Sequence, residues 1–178
     1  GVFVESNCSI LSAGGGILLE GTSGAGTDII NDGVVVSNAT ISDAGTGTIS
    51  IIGTSIATTA VNRGVRIEPA AITSNGGTII IDGTSGGSGA DANIGTDILG
   101  NTQITNTLDG NITINGTGGV GGIFNFGVRF LNNPTLTVAN GSLSVNGNGV
   151  ETTGNEQQGI EFVNGTLNAT GTGSVNLQ

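Results

Sequence analysis

The sequence contains no Lys, His, Met, Trp or Tyr, and only one Cys, two Pro and five Phe among its 178 residues. Each shortage excludes something. With three Arg against thirteen acidic residues the net charge is −10, so the clustered cations that nucleic acid or an anionic membrane would need are missing. Cys8 stands alone, which rules out an internal disulfide. Carboxylates are then the main groups left for acid–base or nucleophilic chemistry. No apolar run approaches the ~20 residues of a membrane-spanning helix, and membrane insertion is not expected. No signal peptide opens the sequence, and any export signal is expected to lie outside it.

Glycine is abundant, at 35 residues, without the every-third-position pattern of collagen or the proline of a stiff linker. A mean hydropathy of +0.23 argues against disorder, because the many Ile and Val residues supply apolar surface to offset chain entropy. The length fits one domain, residues 1–178.

Internal repetition decides the fold class. A phrase Gly-x-apolar-x-apolar begins at Gly15, Gly47, Gly77, Gly110, Gly141 and Gly173. A second, Gly-x-x-apolar, begins at Gly1, Gly33, Gly64, Gly95, Gly127 and Gly159. Single aliphatic residues at Ile10, Ile41, Ile72, Ile104, Leu136 and Leu167 form a third anchor, spaced 31, 31, 32, 32 and 31 residues apart. Each unit therefore holds three short segments of period-two alternation separated by turn residues, which reads as three β-strands per coil. The expectation is all-β: a right-handed parallel β-solenoid of about 31–32 residues per coil and about five and a half coils. Asn-Gly pairs such as Asn115-Gly116 keep a β-meander as the competing fold.

Stacked columns support the solenoid. Ile17 and Leu19, Ile49 and Ile51, Ile79 and Ile81, Ile112 and Ile114, Leu143 and Val145, and Val175 and Leu177 point inward from one strand. Val4, Val36, Ile67, Ile98, Phe130 and Phe162 point inward from another, with the two Phe rings stacked. The preceding position runs Phe3, Val35, Arg66, Asp97, Arg129, Glu161 and is read as outward. Its last four members alternate in sign, as an ion ladder between neighbouring strands would. A further column, Asn7, Asn38, Pro69, Asn101, Asn133, Asn164, is read as a buried amide ladder at a turn, interrupted by Pro69, where Asn tolerates left-handed backbone.

Gly-x-Ile-x-Ile-x-Gly-Thr followed by Gly-Val-x-Ile every thirty-odd residues resembles the large bacterial repeat proteins of the filamentous-haemagglutinin type, abundant in cyanobacteria. The resemblance spans the whole chain and implies a right-handed β-helix shaft, secretion to the cell surface, and adhesive or filament-forming roles. It carries no functional residue, because such repeats define a shaft.

Motifs for chemistry are sparse, and no catalytic, cofactor-binding or metal-binding residue is assigned. Asp28 with Asp32, and Asp91 with Asp97, are the nearest carboxylate pairs. Only Arg66, Asp97 and Arg129 set acid beside base, and the ladder accounts for them. Gly86-Gly87-Ser88-Gly89-Ala90-Asp91 matches the opening of a calcium-binding nonapeptide, but Asn93 replaces its apolar residue and no second copy follows. No cofactor is expected, apart from weak Ca²⁺ association with the acidic surface. Glycosylation sequons occur at Asn7, Asn38, Asn111, Asn115, Asn140, Asn164 and Asn168 where roughly four are expected by chance in so Asn-rich a chain, an excess that means little, and those in the Asn column are expected to be buried. Rows such as Thr40 and Ser42, or Thr135 and Thr137, resemble the Thr arrays of ice-binding solenoids, but Ala71 and Gln103 break them. Cys8 shares a column with Ala39, Ala70, Thr102, Pro134 and Gly165 and reads as a small filler.

The segments 22–32, 54–63, 84–94, 117–126 and 148–158 vary most and read as loops, the natural place for partners. The functional expectation is a structural shaft of a secreted or surface adhesin or extracellular filament at the bacterial outer surface, without enzyme activity. The expected partners are further coils at both ends, surface glycans or neighbouring cells. A polysaccharide-processing β-helix enzyme is the alternative. The absence of any capping segment leads to the expectation that the sequence is an internal window of a longer molecule.

Overall fold

The computed structural model describes residues 1–25, 30–58, 61–87, 92–121, 123–150 and 156–178. It is an all-β solenoid, with no helix among the described residues. The first coil comprises β1 (Val2–Val4), β2 (Ser9–Ser12) and β3 (Ile17–Thr22). In the next two coils the first pair of strands fuses into one run: β4 (Ile30–Asp43) then β5 (Ile49–Ser55), and β6 (Val61–Ser74) then β7 (Ile79–Ser85). The fourth coil returns to three, β8 (Ala92–Leu99), β9 (Gln103–Asn106) and β10 (Ile112–Thr117). The fifth has β11 (Asn125–Leu131), β12 (Thr135–Val138) and β13 (Ser142–Asn148), and the last has β14 (Gln157–Phe162), β15 (Thr166–Ala169) and β16 (Ser174–Leu177).

Every recorded strand pair is parallel and joins equivalent positions of successive coils, as in Ile79↔Ile112↔Leu143 and Ile41↔Ile72↔Ile104↔Leu136. One six-stranded sheet stacks β3, β5, β7, β10, β13 and β16; a ten-stranded sheet holds the rest. The inward columns form one continuous core, in which Val36, Ile51, Ile67, Ile81, Ile98, Ile114 and Phe130 are fully buried. Each such side chain contributes roughly 1.5–3 kcal/mol of transfer free energy, and β-branched Ile and Val suit the pleated surface that carries them. Phe130 and Phe162 do meet, 5.3 Å between centroids, but tilted by 53° rather than stacked flat. In the last coil the columns open to solvent: Phe162 is 41%, Val175 38% and Leu177 55% exposed.

The main departure from expectation lies beyond the end of the third strand. A Cβ built on Gly53, Gly83, Gly116 or Gly147 would fall about 2 Å from the carbonyl oxygen of Gly64, Gly95, Gly127 or Gly159, respectively. No side chain fits there, so in each coil the outgoing and returning strands touch backbone to backbone. This glycine pinch divides the coil into a main body and a lateral lobe built from the segments read as loops. The inner residues of that lobe are packed: Ser23, Ser55, Ser85, Asn62, Asn93, Asn125 and Phe126 are buried. The residues outside the description, 26–29, 59–60, 88–91, 122 and 151–155, fall in the same segments. Variable loops as a whole is therefore the wrong description, because strand pairing and burial continue past the pinch.

Candidate functional site

All three arginines of the chain lie in the crevice between main body and lobe. The column read as outward is in register as expected, Arg66↔Asp97↔Arg129↔Glu161. Its exposure matches the expectation only at Phe3, 59% exposed: Val35 is 1% exposed, Asp97 0%, and Arg66, Arg129 and Glu161 are half-buried. The lobe column Asp32↔Arg63↔Ile94 returns beside it. Phe126, next in that lobe stack, lies 5.9 Å from the Arg129 guanidinium.

The ion pairs consequently zigzag between two columns. Asp97 accepts from Arg63 Nε at 2.8 Å and from Arg129 Nε and Nη2 at 2.8 and 2.9 Å. Asp32 accepts from Arg66 Nε at 2.7 Å and from Arg63 Nη1 at 3.4 Å. Arg66 also donates to Glu68 of its own strand. The expected Arg66–Asp97 contact is replaced, because Arg63 reaches Asp97 from the lobe. Burial alone would lower the Arg66 and Arg129 pKa values, but facing carboxylates and hydrogen bonds outweigh it and the net direction is up. Burial raises the Glu161 pKa; attraction to Arg129 opposes this, and repulsion from Glu156 and Asp97 adds to it. The two fully buried carboxylates of the crevice, Asp32 and Asp97, are each held by two arginines. Such saturation fastens coils together and leaves neither aspartate aimed at a substrate proton.

Behind the crevice, the lobe is held by a second device that the sequence reading missed. Asn62 Nδ2 donates to Asn93 Oδ1 and Asn93 Nδ2 to Asn125 Oδ1, both at 2.9 Å, and Asn125 Nδ2 donates to the Gly121 carbonyl at 3.1 Å. Asn31 precedes this stack in register and Gln157 follows it. The signal is present in the sequence: Asn31, Asn62, Asn93, Asn125 and Gln157 each stand two residues before the pinch glycine.

Comparison with family models, with curated proteins and with solved structures returned no match at any of the three levels.

The amide ladder placed at the first turn does not form as expected. Asn7, Asn38, Asn101, Asn133 and Asn164 are exposed, with left-handed backbone at Asn7, Asn38 and Asn133. The nearest approach to a rung is the Asn133 amide N–H donating to Asn164 Oδ1 at 3.1 Å. The sequons at Asn7, Asn38 and Asn164 are thus on the surface, contrary to the reading that buried them. Of the filler column, Ala39, Ala70, Thr102 and Pro134 are buried, while Cys8 in the first coil is exposed. No cluster of three or more His, Cys, Asp or Glu suited to a metal occurs among the described residues. Asp28 and Asp91, with the 88–91 half of the calcium-like motif, lie outside the described residues.

Proposed function

We propose that this chain is a stretch of rigid shaft in a secreted, cell-surface adhesin or extracellular filament of the filamentous-haemagglutinin type, and that it performs no catalysis. The observation that carries the reading is the way the coils are joined: each coil binds its neighbours through in-register backbone pairing, an aliphatic core, the arginine–aspartate zigzag and the buried amide ladder. A molecule built this way is quasi-one-dimensional and grows by adding coils. The polar groups at its centre are spent on joining coil to coil. Its terminal coils offer Val175, Leu177 and Phe162 at one end, and the half-buried Val2, Ile10, Ile17 and Leu19 at the other. Further coils of the same kind would stack on both.

The test is light scattering and negative-stain microscopy of the expressed chain at tens of micromolar. Shafts of this kind associate end to end into rods whose width stays that of one solenoid. A monodisperse monomer whose melting transition is independent of concentration would sink the shaft reading. Release of reducing ends from polygalacturonate or another acidic polysaccharide would replace it with the enzyme alternative.

A further inference from the structure

The turn joining the first and second strands carries a shallow open groove that runs along the stacking axis over four coils. It is lined by the amides of Asn7, Asn38, Asn101 and Gln103, with exposed Pro69 interrupting the Asn row and buried Ala39 and Ala70 beneath. Not one lining residue is charged, although the chain has a net charge of −10. Among the described residues the only hydrogen bond from these four amides is a long one, Asn38 Nδ2 to Ser37 Oγ at 3.4 Å. Each primary amide offers two donors and one acceptor oxygen; the coil repeat sets those of Asn7 and Asn38 about 4.8 Å apart, and Pro69 takes the next place before Asn101. The backbone beneath is fixed: Asn7 and Asn38 sit at φ of 65° and 47°, and the Asn7 N–H donates to the Asn38 carbonyl at 2.7 Å. Gly100, at φ 64°, packs against the Pro69 ring.

We infer that this groove binds an extended, uncharged polyhydroxylated chain, that is, a strand of neutral polysaccharide. Hydroxyl groups both donate and accept, as the amides do, and the small aliphatic floor accommodates the C–H faces of sugar rings without steric exclusion. A phosphate- or carboxylate-bearing polymer meets no cation here and is repelled by the acidic molecule as a whole. An apolar peptide would leave the amides buried and unpaired, which is unfavourable. With no Trp or Tyr in the chain to stack on sugar rings, a single groove binds weakly, and useful strength comes from repeating the groove along a shaft. The inference rests on the adhesive part of the proposed function and supplies its ligand class; the shaft role does not depend on it.

Affinity electrophoresis of the whole chain through gels containing dextran, mannan, hydroxyethyl cellulose or polygalacturonate tests it. Retardation is expected in at least one neutral gel and not in polygalacturonate. The variant N7D/N38D/Q103A tolerates the left-handed positions, since Asp adopts them too. It removes donors, adds charge, and should weaken retardation at least about tenfold, the loss expected when two ordinary hydrogen bonds go. Ala71→Ile, which fills the groove from its half-buried rim without adding an aromatic face, should do the same with the amides intact. Asn115→Asp on the opposite sheet, where Asn146 already donates to Asn115 at 2.8 Å, makes a like change elsewhere and should leave retardation unaltered. Unchanged melting temperatures confirm that the groove variants are folded. No retardation in any neutral gel, retardation in polygalacturonate alone, or retardation indifferent to both groove variants would each overturn the inference. Rod formation is read separately, so the groove can fail while the shaft stands.

Discussion

Asp43 carries an unmet electrostatic demand, and replacing it with Asn should stabilise the protein. The side chain is 1% exposed at the turn between the second and third strands. In the stack it precedes Ser74, which in turn precedes Asn106. Both successors donate to the Gly77 carbonyl, Ser74 Oγ at 2.9 Å and Asn106 Nδ2 at 2.5 Å. The carboxyl group of Asp43 makes no such bond. Its Oδ1 accepts a long bond from Gly45 N at 3.3 Å, and its buried Oδ2 has no hydrogen-bond partner. The space beside it is crowded with backbone: a Cβ built on Gly47 would lie 2.2 Å from Gly16 N, 2.5 Å from Asp43 Oδ2 and 2.7 Å from the Gly14 carbonyl oxygen. An isosteric amide removes the carboxylate from this buried place and supplies a donor there, as Ser74 and Asn106 do in the next two coils. Removing a buried unsatisfied acceptor is worth about 1–3 kcal/mol, with charge placing it toward the upper end. For a chain of this length each kcal/mol moves the midpoint by about 2–4 °C. Urea and thermal unfolding followed by far-ultraviolet circular dichroism measure the effect. Asn106→Asp is the reciprocal change and should destabilise, since it deprives Gly77 of a donor and places a carboxylate in its stead. If Asp43→Asn fails to stabilise, or the two substitutions shift stability in the same direction, the account of this turn is wrong.

Four other outcomes are expected from the packing. Phe130→Asp, at a fully buried core position, should cost several kcal/mol, of order ~4, whereas Thr113→Asp on the half-exposed outer face of β10 should cost under about 1 kcal/mol; equal melting temperatures would refute the register. Arg129→Glu removes the bidentate partner of a fully buried Asp97 and should destabilise by about 3–5 kcal/mol, read from a urea midpoint at low and high salt. Gly116→Ala would place a Cβ 1.9 Å from the Gly127 carbonyl and should spring the pinch, while Gly15→Ala, whose nearest contact is 3.7 Å, should melt as wild type does. Glu161 has a raised pKa when folded, so in the window between its ordinary and raised values the folded state holds more proton and stability falls as pH rises; Glu161→Gln should flatten that part of a stability–pH curve.

The period, the three strands per coil and the inward columns were all legible, because alternation and spacing depend on local pattern alone. Their burial confirms Ile51, Ile81, Ile114 and their neighbours as one core. What escaped was the pinch. Alternation assigns Asp97 to the outside, and in a simple triangular coil it would be there; the lobe, swinging back past Gly95, encloses it. The lobe's own order was spelled out in the Asn-x-Gly spacing, yet it was hidden among 20 Asn and 35 Gly residues, where one more regularity is easily overlooked. The Asn column at the first turn erred the opposite way. Left-handed backbone is present at Asn7 and Asn38 as expected, but that same conformation turns the side chains out to solvent, where stacking no longer compels them to bond one another.

The glycine pinch also sets how the molecule can tolerate changes of length. Between the paired glycines the lobe takes 12, 11, 12, 11 and 12 steps along the chain, from Gly21 to Gly33, Gly53 to Gly64, Gly83 to Gly95, Gly116 to Gly127 and Gly147 to Gly159. A residue gained or lost there leaves no trace on the other side: Ile51, Ile81 and Ile114 stay directly above one another whatever the lobe between them does. The backbone clasp thus acts as a firebreak against register error. A foreign segment grafted between the paired glycines would be repeated at a fixed pitch on every coil that bears it, on a stem that does not sense the insertion.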